Sequence, residues 1–510
     1  SIDGDYPFFL TRYLQVSTEK RIISTTFKIE KSNCIRRLEW HNPQGLPPSL
    51  PPPPDHYTIG SIEVKGQAVP EVLPSSELLY VLVMDSIWTG VSTSVWQYVE
   101  DVSDSYSVVV WTYDGNSPNT VRSWLSSEYS THPNLVGCLF VGDVPAAWYE
   151  IPDHPGWSYE SFPADIFYMD LDGNWVDSDS DGIYDAHTGN TTPEIWVGRL
   201  KASNIGDEIA LLNNYFGKNH RYRIGQFEVS VPHRALSYVD DDWNSCYDID
   251  AVREVYIDTT LITDGATTIA ADYKNRLAQG YEWVHLMCHG WPGGHTFKIG
   301  SEWTGGTVYS SDYFSSDWPA LFYLFFVCSG ARYTEADYLA GASVFTANYG
   351  LLALGSTKTG SITNFYEFYR PLSYGKSMGT AFKEWWLSWM SQDWFKDWSY
   401  GLAIIGDPTL KPYEYSHDIA VTGIEAPRFV SSGETTTVGS TIFNLGINDE
   451  VNIEVQLQAD STIVDTEIIP SLASSAETVV DFFWTAPTAL GDCTLKVYAV
   501  PVPDETYTSN

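Results

Sequence analysis

Two short segments of this 510-residue chain have the residue types for nucleophilic chemistry. The apolar run YEWVHLM leads into Cys288-His289-Gly290, and 39 residues after His289 the run LFYLFFV leads into Cys328-Ser329-Gly330. A thiol whose proton is taken by a neighbouring imidazole is the minimal apparatus for acyl transfer. Cys328 is therefore the candidate nucleophile and His289 its base. The glycines that follow are expected to let the backbone turn sharply and approach a substrate. The backbone N–H groups of Gly290 and Cys328 are candidates for holding the developing oxyanion. Taken singly, a cysteine after an apolar strand is usually a core residue, and a lone histidine at a strand end is usually inert. The pairing of two strand ends carries the argument. Cys288, still inside its strand, is expected to pack in the core.

A second constellation is acidic. Asp170-Leu171-Asp172-Gly173-Asn174 precedes Asp177-Ser178-Asp179-Ser180-Asp181-Gly182-Ile183-Tyr184-Asp185. Alternating carboxylates around a turning glycine wrap oxygens about a hard cation, so Asp170, Asp172, Asp177, Asp179, Asp181 and Asp185 are the candidate ligands of a structural calcium ion. Thr188 stands where an EF-hand would place its closing glutamate, so this is a loop within a larger domain. A solvated acidic turn is the plainer alternative, but so many close carboxylates repel one another without a cation. Asp240-Asp241-Asp242, after another apolar run, is a further candidate cation site.

The elements that must position these residues are legible as apolar runs. Residues 78–84 (LLYVLVM), 107–112 (SVVVWT) and 135–141 (LVGCLFV) read as strands buried on both faces, with polar, helix-like segments between them. That alternation predicts a mostly parallel sheet flanked by helices. Residues 195–200 and a helix over 207–216 close this half. The theme repeats, with strands at 235–239, 283–288, 321–327 and 351–354 and helices near 272–278, 335–340 and 378–389. In a parallel sheet the C-terminal strand ends share one edge, where ligands bind, so His289 and Cys328 are predicted to meet there. Residues 414–510 change to short alternating strands rich in Thr, Val and Ile, the pattern of an immunoglobulin-like β-sandwich. The expected organisation is a leader or pro-segment over 1–72 with the proline run at 47–54, an N-terminal subdomain with the calcium loop over 73–223, a catalytic subdomain over 224–413, and the sandwich over 414–510.

Composition bounds the partners. With 28 basic against 65 acidic residues the net charge is −37, which argues against nucleic acid, because phosphate contacts need a basic face. The six cysteines are scattered, without CxxC or zinc spacing, and imply no disulfide framework. No apolar run of membrane-spanning length is visible. The chain begins without a charged n-region and apolar core, so any signal peptide is expected to have been removed or never present.

The set of motifs Val141-Gly142-Asp143, Ala164-Asp165-Ile166-Phe167-Tyr168, Glu194-Ile195-Trp196-Val197-Gly198-Arg199-Leu200, residues 284–290, residues 326–330 and Ile405-Gly406-Asp407-Pro408-Thr409-Leu410 resembles, in order, the gingipains, cysteine peptidases of the caspase-like superfamily. The resemblance runs from about residue 76 to 413, with an immunoglobulin-like domain following. It implies a secreted endopeptidase of extracellular or cell-surface location, monomeric and acting on proteins or peptides. Cleavage is expected after a basic residue, arginine favoured, with His289 and Cys328 matching the family's catalytic pair. It also implies an acidic residue orienting His289, for which Asp153 is the candidate and Glu150 the rival, with Asp143 structural. Asp165 is the implied base of an arginine pocket. The chain departs from the arginine-cleaving members after residue 355, where Ser356-Thr357-Lys358-Thr359-Gly360-Ser361 lacks their aromatic wall. The leader's Arg36, Arg37 or Lys65 could block a basic-residue pocket until cut, which would make the chain a zymogen. Two other readings stay open: a transpeptidase processing surface proteins with the same residues, and a calcium-dependent adhesin without chemistry.

Overall fold

The computed structural model describes residues 11–14, 25–28 and 65–66 and, from 77 onward, all but 152–158, 228–230, 247, 257, 390–395, 397, 414–415, 428, 447, 461, 475, 490–492, 504 and 506–510. The leader's proposed blocking residues Arg36 and Arg37 lie outside the described residues. The chain divides into two units, Asn33–Leu410 and a second made of Ser1–Ser32 with Lys411–Asn510.

The larger unit is built on one sheet. Its strands are β1 (Lys65–Gly66), β2 (Glu77–Met84), β3 (Tyr106–Tyr113), β4 (Leu135–Val141), β5 (Trp196–Leu200), β6 (Ala235–Val239), β7 (Thr259–Ile262), β8 (Tyr281–Met287), β9 (Ala320–Phe326), β10 (Leu352–Ser356) and β11 (Leu402–Gly406). Across the sheet they run β7-β6-β8-β9-β10-β11-β5-β4-β2-β3-β1. The expected α/β class is what the structure shows, and the two halves expected at 73–223 and 224–413 share this sheet. Neighbours are parallel except at two places: β1 against β3, and β10 against β11. The antiparallel junction at β10/β11 splits the sheet into two parallel halves of opposite direction. Their C-terminal strand ends therefore open at opposite edges.

The strands are where the apolar runs predict them because both faces are covered. Every residue of β8 and of β9 is buried. The helices show why they pack on the sheet. In α1 (Asp85–Val102) the buried residues Ile87, Val91, Val95, Tyr98 and Val102 recur at helical spacing. In α2 (Pro118–Thr131) the Ser117 side chain accepts from the Thr120 N–H, with proline at the first position. In α3 (Glu208–Arg223) Asp207 caps in the same way and basic residues fill the last turn. One helix is displaced from its expected place near 335–340. It runs as α4 (Leu339–Val344), because Asp337 adopts a left-handed φ of 53° and cannot continue a helix.

In the second unit, Thr11–Leu14 pairs antiparallel with Thr25–Lys28. Strands Ile419–Glu425, Thr435–Asn444 and Glu477–Thr485 form one antiparallel sheet, and Thr462–Leu472, Glu450–Ala459 and Leu495–Ala499 a second. Val438, Ile442, Ile453, Val455, Leu457, Phe482 and Trp484 fill a common core, the β-sandwich expected there. No helix among the described residues is long and apolar enough to cross a membrane.

Candidate active site

Four adjacent parallel strands, β6, β8, β9 and β10, deliver the candidate residues to one edge. Register pairs Val239 with Met287 and Met287 with Phe326. His289 stands two residues beyond Met287, and Cys328 two beyond Phe326. Side chains alternate between faces with period two, so both leave on the face that carries Met287 and Phe326. Cys328 and Trp243 belong to the core cluster of that face, while Cys288 belongs to the cluster of the opposite face. Cys288 is buried, and burial, then Asp240 and Cys328, push its thiol well up.

The imidazole of His289 is held on several sides. Its Nε2 lies 2.8 Å from Oδ2 of Asp242. The Trp243 ring lies 4.6 Å away, and the Trp303 ring meets it nearly edge-on at 5.0 Å. Lys298 Nζ is 3.4 Å from the same Asp242 oxygen and 4.6 Å from the Trp303 ring centre. Burial raises the Asp242 carboxyl, but the hydrogen bond from His289 and the Lys298 charge outweigh it and hold the group below its ordinary range. An ionised carboxylate only accepts, so the proton between the two sits on Nε2.

Asp242, read from sequence only as part of a further cation site, is a carboxylate that reaches His289. Asp153, the expected orienting acid, lies outside the described residues. Its rival Glu150 accepts instead from Tyr159 Oη at 2.7 Å and lies beside the acidic loop, where burial first, then Asp181, Asp179 and Asp185, raise its carboxyl. Asp143, expected to be structural, accepts from Lys201 and Ser203 at the end of β4. In the Asp240–Asp242 run, read as a further cation site, Asp240 and Asp242 bring carboxylate oxygens within 4.8 Å of each other and of a His289 nitrogen, and the run also has partners in the protein. Asp240 accepts from the N–H groups of Asp242 and Lys298, Asp241 from Gly300, and Lys298 supplies the cation at Asp242.

Around Cys328 the loop after β10 closes in. The Ser329 N–H donates to the Lys358 carbonyl at 2.8 Å, and the Thr359 N–H donates to Glu160 at 2.8 Å. Burial and the Glu160 carboxylate push the Cys328 thiol well up, against the Gly360 N–H, the Lys358 ammonium and the Thr359 hydroxyl, which pull it down. Cys328 therefore rests as a thiol that needs a base. The sharp turn expected at the glycines falls elsewhere, since Ser329 itself adopts φ 55°. Gly290 serves a close approach: a Cβ there would meet the Gly294 carbonyl oxygen and Val327 Cγ1, each at 2.5 Å.

Asp165, the implied base of an arginine pocket, is held by the protein's own side chains. It is buried, and Arg199 of β5 grips it with two hydrogen bonds of 2.7 and 3.2 Å while Tyr333 Oη donates at 2.8 Å. Its acceptor sites face the chain's own guanidinium, so a substrate arginine finds no carboxylate there.

The six candidate calcium ligands separate. Asp177, Asp179 and Asp181 bring carboxylate oxygens within 4.8 Å of one another, a donor set that fits a hard cation. Gly182 (φ 90°) makes the turn. Asp170 and Asp172 form a second such group with Glu194, which sequence reading did not name. Burial, then Asp170 and Asp172, push Glu194 up to about 7. Asp185 belongs to neither group, because both its oxygens are taken by Ser178. Cys246, in the segment after β6, is disulfide-bonded, while Cys138, Cys288, Cys328 and Cys493 are free.

The sequence profile of peptidase family C25 matches residues 89–413, and that of the CARDB domain matches residues 416–504. No curated protein matches. Among solved structures the chain is similar to dimeric latent PorU from Porphyromonas gingivalis, with 11% identity over 83% of this chain and 41% of that one, at a TM-score of 0.32. It is also similar to the CARDB domain of the PF1109 protein from Pyrococcus furiosus, in complex with di-metal ions, with 22% identity over 19% of this chain and 88% of that one, at a TM-score of 0.17.

Proposed function

From a chain that belongs to peptidase family C25, the gingipain family of cysteine peptidases, we propose a secreted, calcium-stabilised endopeptidase whose reacting unit is Cys328, His289 and Asp242. The observation that carries this reading is the delivery of all three, with the loop at 357–360, to one edge by four adjacent parallel strands. With Nε2 protonated toward Asp242, Nδ1 is the basic nitrogen. It takes the Cys328 proton as Sγ bonds to the peptide carbonyl carbon. It then passes that proton to the leaving amine as the C–N bond breaks. Water, deprotonated by the same nitrogen, adds to the thioester, the S–C bond breaks and the sulfur recovers the proton. The Gly290 and Cys328 N–H groups are the proposed oxyanion donors.

Cleavage after a basic residue, arginine favoured, is part of the proposal. With Asp165 committed to Arg199, the carboxylate near the nucleophile is Glu160. Calcium is assigned to Asp177, Asp179 and Asp181, and to Asp170, Asp172 and Glu194, as a fold-stabilising ion. The disulfide at Cys246 supports an oxidising, extracellular setting, and activation by removal of the leader completes the reading. The test is covalent capture. Acyloxymethyl ketones carrying Arg, Lys or Leu are incubated with the protein and the adduct is located by mass spectrometry. A mass gain on Cys328, fastest for Arg and slowed for that compound by Glu160→Gln, is expected. Labelling that ignores Cys328, or equal rates for all three, contradicts the chemistry or the specificity respectively.

A further inference from the structure

We propose that Lys298 is a positioning residue of this peptidase, a cation that holds Asp242 and Trp303 against His289. The inference rests on the reading of Cys328, His289 and Asp242 as the reacting unit and names what tunes that unit.

Lys298 follows the short strand Gly294–Thr296, and its own N–H donates to Asp240 at 2.7 Å, which fixes its backbone against the end of β6. From there its ammonium reaches two of the groups that surround the imidazole. It lies 3.4 Å from the Asp242 oxygen that His289 also uses, and it sits over the Trp303 ring whose edge meets His289. The side chain is only 10% exposed, so water screens this charge weakly. One carboxylate thus serves two nitrogens.

Among the described residues, the neighbouring charged or titratable groups have other contacts. Asp240 accepts from backbone N–H groups, and burial raises its carboxyl to about 7. Asp241 turns to the Gly300 N–H. Cys288 and Cys328 rest as thiols, and Glu160 and Lys358 act on Cys328. Lys298 is the cation on the carboxylate that orients the imidazole. It was not singled out by sequence, because nine residues and a hairpin separate it from His289.

The experiment is the rate of Cys328 alkylation by iodoacetamide at neutral pH, quantified on the Cys328 peptide so that Cys138, Cys288 and Cys493 do not contribute. Wild type, His289→Ala, Lys298→Met and Lys298→Arg are compared, with kcat and KM on a peptide reporter alongside. Lys298→Met is expected to lower the alkylation rate and kcat by roughly 10–100-fold with KM unchanged, while Lys298→Arg keeps both near wild type. Should Lys298→Met fail to fold, Lys298→Gln, polar and uncharged, is expected to give the same loss. Rates unchanged in a folded uncharged variant overturn the proposal. Equal alkylation rates for wild type and His289→Ala overturn instead the reading on which it rests.

Discussion

At Asp242 a carboxylate fixes which nitrogen of His289 carries the proton, and an amide at that position could as well present a donor and reverse the tautomer. Asp242→Asn is therefore expected to lower kcat by roughly 10²–10⁴-fold with little change in KM, measured on a peptide reporter at neutral pH. The depressed Asp242 carboxyl adds a sign. The stabilisation that it draws from His289 and Lys298 is present above the ordinary carboxylate range and is lost as pH falls through its own lower value. Cys328 and His289 could be singled out from sequence because each ends an apolar strand, but the contact of Asp242 with His289 could not. The resemblance pointed to Asp153, which lies outside the described residues, while Asp242 stands in the three aspartates after the run at 235–239, read from sequence as a cation site. Only the sheet order, which puts β6 beside β8, tells that these share an edge with His289.

Between elements, the buried pair of Arg199 and Asp165 ties β5 to the segment before residue 166. Arg199→Met leaves a buried carboxylate without its partner and is expected to cost about 3–5 kcal/mol, read by denaturant unfolding. Asp165→Asn is expected to weaken the fold while leaving the ratio of Arg to Lys cleavage unchanged; a collapse of that ratio would restore Asp165 to the pocket. At the edge that carries the site, Gly290→Ala forces a methyl group against Gly294 and Val327. A destabilisation of about 1–3 kcal/mol with loss of activity is expected. Most strands were legible to within two residues, since runs such as 135–141 are apolar throughout, but β1, β7 and β11 were not read as strands. Sequence could not show that β11 joins β5 to β10 and fuses the two halves into one sheet, because strand order depends on long-range pairing that no local pattern encodes. Asp165 was misread for a similar reason: its partner Arg199 lies 34 residues on, in a motif read separately.

Over the whole molecule, an excess of acidic residues meets several buried carboxyls. Burial raises Asp240, Glu194 and Glu208 to about 7 and Asp248 to about 6. Raised carboxyls hold protons in the folded state that the unfolded chain releases. Their contribution is thus complete below the ordinary carboxylate range and lost as pH rises through 6 to 7. Without calcium, Tm is expected to fall between pH 5 and pH 8, and calcium is expected to restore it mainly at the upper end, where Glu194 ionises beside Asp170 and Asp172. Calorimetry with calcium and with chelator checks both, and a Tm that rises with pH in chelator would contradict the assignment of these groups.

The central claim is that Cys328 does the chemistry of a peptidase, and hydrolysis of matched peptide reporters ending in Arg, Lys, Asp or Leu tests it most directly. The measurement is made with calcium present, before and after limited proteolysis, on wild type and Cys328→Ala. The account predicts cleavage after Arg by wild type that disappears in the variant. Cleavage that survives in Cys328→Ala, or none of any reporter in either state, would contradict it.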